Sequence, residues 1–154
     1  MGRQMRVLLV DDEVEFVKTL AKRLEMRELK PDTVYSGEEA IKYAEEQEPD
    51  VIVLDLRMPG MDGIEVLRQI RQAYPTTQVI ILTAHGTEKD QEEAQKLGAY
   101  EFLRKPVDIE TLVDKIKGAY QRKLELTMSA IAFAEEGEFN TARKIMEMEN
   151  KEEK

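Results

Sequence analysis

The chain has 154 residues, 42% hydrophobic and 36% charged, enough for one compact domain with a core and a heavily solvated exterior, plus an appendage. It has no cysteine, which excludes disulfides, thiolate nucleophiles and Cys-ligated metals. The formal net charge of −9 disfavours a nucleic-acid partner, and no charge-free apolar stretch approaches the roughly 20 residues that span a bilayer, so a cytoplasmic protein without membrane contact is expected.

Arg6 to Val10 is an apolar run that ends on Asp11-Asp12. A helix is predicted from Val14 to about Arg27, with Val14, Val17, Ala21 and Leu24 on its inner face, then a short strand near Asp32 to Tyr35. Ser36 with Glu39 forms a capping box for a helix that reaches about Gln47 before Pro49. Val51 to Leu54 runs into Asp55, and the turn Met58-Pro59-Gly60-Met61-Asp62-Gly63 leads to a helix capped by Asp62 and lined by Ile64, Leu67 and Ile70.

Val79 to Leu82 reaches Thr83, Thr87 caps a helix with a thin apolar stripe (Ala94, Leu97), and Tyr100 to Leu103 runs through Arg104 to Lys105-Pro106. Asp108 caps a last helix with Ile109, Leu112, Val113 and Ile116 as apolar positions. No proline interrupts it, and its length of about 29 residues exceeds the usual 8 to 20. Residues 1–121 are therefore read as the domain and 122–154 as a helical extension, in which Gly137 ends the long helix and Glu138 to about Met148 forms another.

Strands alternating with helices predict a parallel α/β sheet, whose ligands sit beyond the carboxyl ends of the strands. Asp11, Asp12, Asp55, Thr83 and Lys105 all fall at such ends. Three carboxylates together suit a hard cation, Mg²⁺, held through oxygen. A carboxylate can attack phosphorus, which makes Asp55 the candidate phosphoacceptor, with Lys105 as cation and Thr83 as hydroxyl donor to the phosphoryl oxygens. Taken singly, each residue has a plainer role: Asp11-Asp12 as helix cap, Asp55 as turn residue, Thr83 as β-former and Lys105 as surface charge.

The segments Leu8-Leu9-Val10-Asp11-Asp12-Glu13, Asp55 to Gly63, Thr83-Ala84 and Lys105-Pro106-Val107-Asp108 give the chain a resemblance to the receiver domain of two-component response regulators, close to the single-domain chemotaxis type, from about Arg6 to Gln121. The resemblance implies a flavodoxin-like, doubly wound five-stranded parallel sheet of order 2-1-3-4-5, to which the terminal helical hairpin is added. It implies phosphorylation of Asp55 by a histidine kinase. It further implies Mg²⁺ held directly by Asp12, through water by Asp11, by Asp55 and by the backbone carbonyl of Arg57, and a cis bond between Lys105 and Pro106.

By the same resemblance Phe102 holds the place of a switch aromatic that turns inward when Thr83 moves, although it also reads as a plain buried strand residue. Arg57 and His85, each two residues past a site residue, fall where side chains tune phosphoryl lifetime; a surface role suits the lone His85 as well.

After Gln121 the chain carries six basic and eight acidic side chains, which suits neither DNA nor a membrane surface. Val113, Ile116, Tyr120, Leu124, Met128 and Ile131 keep the spacing of one apolar seam, open to a homodimer, to an unknown downstream protein, or to the chain's own fold. The stretch from Ala132 to Phe139 with Ala142 also resembles half of a tetratricopeptide unit, too little to fold as a repeat. Two other classes remain open: a haloacid-dehalogenase-like phosphohydrolase, which wants Asp-x-Asp where this chain has Asp11-Asp12-Glu13, and a scaffold that takes no phosphoryl group.

Overall fold

Three of the five strands are buried at every position, as strands covered by helices on both faces are. The computed structural model describes residues 4–135 and Met146. Strands β1 (Val7–Val10), β2 (Asp32–Val34), β3 (Val51–Leu54), β4 (Gln78–Thr83) and β5 (Glu101–Arg104) alternate with helices α1 (Val14–Glu25), α2 (Gly37–Glu46), α3 (Gly63–Ala73), α4 (Glu88–Lys96) and α5 (Ile109–Glu135). The strands form one parallel sheet of order β2-β1-β3-β4-β5. This is the flavodoxin-like arrangement expected, and the half-exposed β2 and β5 are its edges.

Successive strand residues point to opposite faces, which divides the core in two. Val7, Leu9, Val53, Ile80 and Leu82 meet α1 and α5 on one face. Leu8, Val10, Ile52, Leu54 and Ile81 meet α2, α3 and α4 on the other.

Four helices start on a side-chain oxygen that accepts from the amide three residues on: Ser36 from Glu39 at 3.1 Å, Asp62 from Glu65 at 3.0 Å, Thr87 from Asp90 at 3.1 Å, and Asp108 from Thr111 at 3.1 Å. Glu39 does not close its box on Ser36; its Oε2 accepts from Tyr35 N instead. Asp90 does close one, on Thr87.

The inner face of α1 differs from the expected one. Val17, Leu20 and Leu24 are buried, Ala21 lies at the margin, and Val14 is exposed. Val14 is the first helical residue, lying outside the layer that the later turns press onto the sheet. In α3 the buried set is Gly63, Val66, Leu67 and Ile70, with Ile64 only partly covered for the same reason.

Helix α5 is continuous for 27 residues, roughly 40 Å at 1.5 Å per residue. Ile109, Leu112, Val113, Ile116 and Ala119 are buried on the sheet, and Lys123 Nζ reaches the fully buried Asp50, donating to its Oδ1 at 2.5 Å. Beyond this the apolar seam leaves the core: Leu124 is half-buried, Met128 and Ile131 exposed. The second helix of the expected hairpin lies outside the described residues, apart from Met146, which is helical.

Candidate functional site

The sheet brings the strand-end residues together through its backbone. Val10 pairs with Leu54, so the next residue on each strand, Asp11 and Asp55, continues the register, and Asp55 N donates to Val10 O at 3.0 Å. On the other side Thr83 pairs with Arg104, and Lys105 N donates to Thr83 O at 2.9 Å. Crossing from β1 to β3 reverses the strand order, which opens a crevice at this edge.

Oxygen atoms of Asp11, Asp12 and Asp55 all lie within 4.8 Å of one another. Asp11 and Asp55 are buried, and Asp12 is open to solvent. Both oxygens of Asp11 are engaged: Oδ1 accepts from Glu13 N at 2.9 Å and Oδ2 from Lys105 Nζ at 2.6 Å. Asp55 Oδ1 accepts from Leu56 N at 2.9 Å. Asp11 does not cap α1, which starts without a side-chain cap.

Burial pushes the Asp11 carboxyl above its ordinary range, and the neighbouring charge of Asp55 adds to this; Lys105 and the Glu13 amide only partly offset them. Burial alone would lower Lys105, but its hydrogen bond to Asp11 and the charges of Asp11, Asp55 and Glu13 outweigh that and raise it. Lys105 is thus a held cation, with Glu13 at 3.5 Å and the Phe16 ring centroid at 4.1 Å. Such a donor set fits a hard divalent ion, since it supplies carboxylate oxygen at close quarters with one exposed face for water.

Two glycines permit the close packing around these groups. A Cβ on Gly63 would lie 2.2 Å from the Asp55 carbonyl oxygen, so α3 can start against the end of β3 only without one. The loop closes through Gly63 N to Leu56 O at 3.0 Å. A Cβ on Gly86 would meet Phe102 Cζ at 2.5 Å and Thr83 Cγ2 at 2.9 Å, so the β4–α4 loop lies across both.

Thr83 is fully buried, and its Oγ1 accepts from His85 N at 3.3 Å. Phe102 is already buried here, between that loop and the Arg104 guanidinium, 5.4 Å from the ring centroid; Arg104 also donates to the Gly86 carbonyl. His85 is exposed. The Lys105–Pro106 peptide is cis. The exposed Arg57 follows Leu56 in the β3–α3 loop, where its guanidinium pairs with Asp90 of α4 at 2.9 Å. That pair borders an open cleft of about 450 Å³ between α3 and α4.

Sequence reading did not single out Glu13, Phe16, Gly86 or Asp90 as neighbours of the site. Only the position of Glu13 beside the Asp pair carried any signal.

The response regulator receiver domain family matches residues 7–117. Transcriptional regulatory protein TrcR of Mycobacterium tuberculosis is 33% identical over 129 residues, covering 84% of this chain and 50% of that protein. The alkaline phosphatase synthesis transcriptional regulatory protein PhoP of Bacillus subtilis is 38% identical over 117 residues, covering 76% of this chain and 49% of that protein. The chain thus spans about half the length of these curated relatives. The crystal structure of the signal receiver domain of a putative LuxO repressor protein from Vibrio parahaemolyticus superposes with a TM-score of 0.77 at 31% identity, covering 82% of this chain and 98% of that one. With the strand order, the acidic cluster and the matched residues in agreement, the chain belongs to the response regulator receiver domains of two-component signalling systems.

Proposed function

We propose that the chain is a phosphorylation-controlled receiver in which Asp55 takes a phosphoryl group from a histidine kinase. The observation that carries this is the gathering of Asp11, Asp12 and Asp55 at one sheet edge with Lys105 and Thr83 tied alongside by backbone bonds. Asp55 supplies the nucleophilic carboxylate oxygen. A bond forms from that oxygen to phosphorus as the bond from phosphorus to the donor's imidazole nitrogen breaks, and the departing nitrogen keeps the electron pair and takes up a proton.

Mg²⁺, when bound, supplies positive charge to the transferring oxygens. Asp12, which is exposed, and Asp55 would hold it directly, with the Arg57 backbone carbonyl, while Asp11, both of whose oxygens are engaged, would act through water. Lys105 offers its ammonium to the developing charge, and Thr83, once its hydroxyl turns, donates to the same oxygens. The movement of Thr83 is passed to Phe102 through the Gly86 loop that touches both. Arg57 and His85 flank the route by which water reaches the acyl phosphate.

The protein acts as a cytoplasmic signalling module rather than by turnover, with residues 1–121 as the receiver and 122–154 as an extension whose exposed Met128 and Ile131 serve a homodimer or a downstream protein. Among the described residues no helix is long and apolar enough to cross a membrane. Two curated relatives are named transcriptional regulatory proteins, but the net charge of −9 favours a protein partner here.

The test is incubation with Mg²⁺ and a small acyl-phosphate or phosphoramidate donor. The receiver reading expects one acid-stable, base-labile adduct per chain. Steady turnover of phosphate esters would support a haloacid-dehalogenase-like hydrolase instead, and inertness a scaffold.

A further inference from the structure

Helix α4 is anchored differently from the other four. Its only buried residue is Ala94, whereas α1 buries three and α3 four. It is held by arginines from other elements: Arg57 to Asp90 at 2.9 Å, Arg68 to Glu93 at 3.7 Å, and Arg104 to the Gly86 carbonyl just ahead of it. Asp90 has a double task, because the carboxylate that pairs with Arg57 also accepts from Thr87 N at 3.0 Å to close the capping box.

The geometry points to Arg57 as a releasable strap. It is paired with Asp90 while Asp55 is a free carboxylate, and drawn to the phosphoryl oxygens when Asp55 is modified, which detaches the first turn of α4 from the site loop. This inference rests on the proposed phosphorylation of Asp55.

Three physical points favour the exchange. Arg57 is two residues past Asp55, so their Cα atoms are no more than about 7 Å apart, and the side chain can change partner without a shift of the loop. The phosphoryl group adds nearly two negative charges and offers a set of oxygens that a guanidinium fork matches, whereas Asp90 offers one charge. The existing pair is also weakly held: the Arg57 side chain is 54% exposed, and exposed pairs are easily given up.

Release leaves Asp90 on Thr87 N, so α4 keeps its cap and loses only its tie. Asp90 is then a positioning residue, acting on the site through Arg57.

The amide of Gln91, which makes the first backbone bond of α4 to Thr87 O at 3.0 Å, reports the attachment. Its hydrogen exchange is measured by NMR in wild type and Arg57→Ala, with Mg²⁺ alone and with beryllofluoride as a stable phosphoryl mimic, whose binding ¹⁹F NMR detects. In wild type the mimic should speed exchange roughly two- to five-fold, the factor expected of one exposed ion pair. Arg57→Ala should show a similar rise with Mg²⁺ alone, and no further rise with the mimic. Bound mimic with equal rises in both proteins, or with none in wild type, would overturn the strap and leave the phosphoacceptor reading intact. Failure of the mimic to bind wild type would overturn both.

Discussion

Lys105 Nζ donates to Asp11 Oδ2 at 2.6 Å, a contact between residues 94 apart in sequence. The ammonium to which the proposed mechanism gives the phosphoryl oxygens is thus held by a carboxylate of the acidic cluster. In the proposed mechanism Lys105 and a metal ion would compete for the same negative charge.

Replacing Lys105 by Ala should accordingly tighten Mg²⁺ binding, on the order of tenfold, since a neighbouring positive charge is removed from a partly buried site. Titration calorimetry with MgCl₂ on the folded variant measures this. The same variant should lose most of its phosphoryl uptake, and unchanged Mg²⁺ affinity would contradict the competition.

Gly63→Ala places a methyl group 2.2 Å from the Asp55 carbonyl oxygen. Backbone, not a flexible side chain, must yield. We expect a loss of about 1–3 kcal/mol in urea denaturation, typical of overpacking, and a lower adduct yield at equal folded concentration. Wild-type stability would show that the strand end gives way freely.

At the opposite end of the sheet Lys123 is 8% exposed and Asp50 fully buried, and Arg6 N also donates to Asp50, at 2.7 Å. Lys123→Ala leaves that carboxylate its amide donor but removes the Lys123 ammonium. The expected cost is about 3 kcal/mol, the scale for breaking a buried pair, with phosphoryl uptake by the folded fraction retained because the site lies at the other pole. Denaturant melts and adduct yield separate the two effects.

Asp90 is held below its ordinary value of 3.8, chiefly by the Thr87 backbone hydrogen bond; burial opposes this, and the Thr87 hydroxyl and Arg57 add to the lowering. A depressed carboxylate stabilises the fold above the unfolded value and loses that contribution as pH falls through the folded one. Protection of the first turn of α4 should therefore stay level from neutral pH down to about 3.8 and fall below it. Carboxyl-detected NMR titration of Asp90 gives the midpoint, and a value at or above 3.8 would refute the expectation.

What the sequence revealed and what it hid divide along physical lines. Continuous apolar runs ending on Asp11, Asp55, Thr83 and Lys105 fix both strand identity and the edge that carries chemistry, because parallel strands all present their carboxyl ends on one side. The caps at Ser36, Asp62, Thr87 and Asp108 are local, and local spacing reveals them. Arg57 and Asp90 meet across 33 residues and Lys123 and Asp50 across 73, through the packing of whole helices. Nothing in the neighbourhood of either residue announces the partner. Val14 misled by residue type, since an apolar residue in the first turn of a helix can sit above the layer that is buried.

The claim that Asp55 is the phosphoacceptor is tested most directly by intact-mass and peptide mapping after treatment with Mg²⁺ and an acyl-phosphate donor. The account predicts one phosphoryl group on the peptide that contains Asp55, dependent on Mg²⁺ and absent from a folded Asp55→Asn variant. A phosphoryl group that persists in Asp55→Asn, or an unmodified wild-type chain under saturating donor and Mg²⁺, would contradict it.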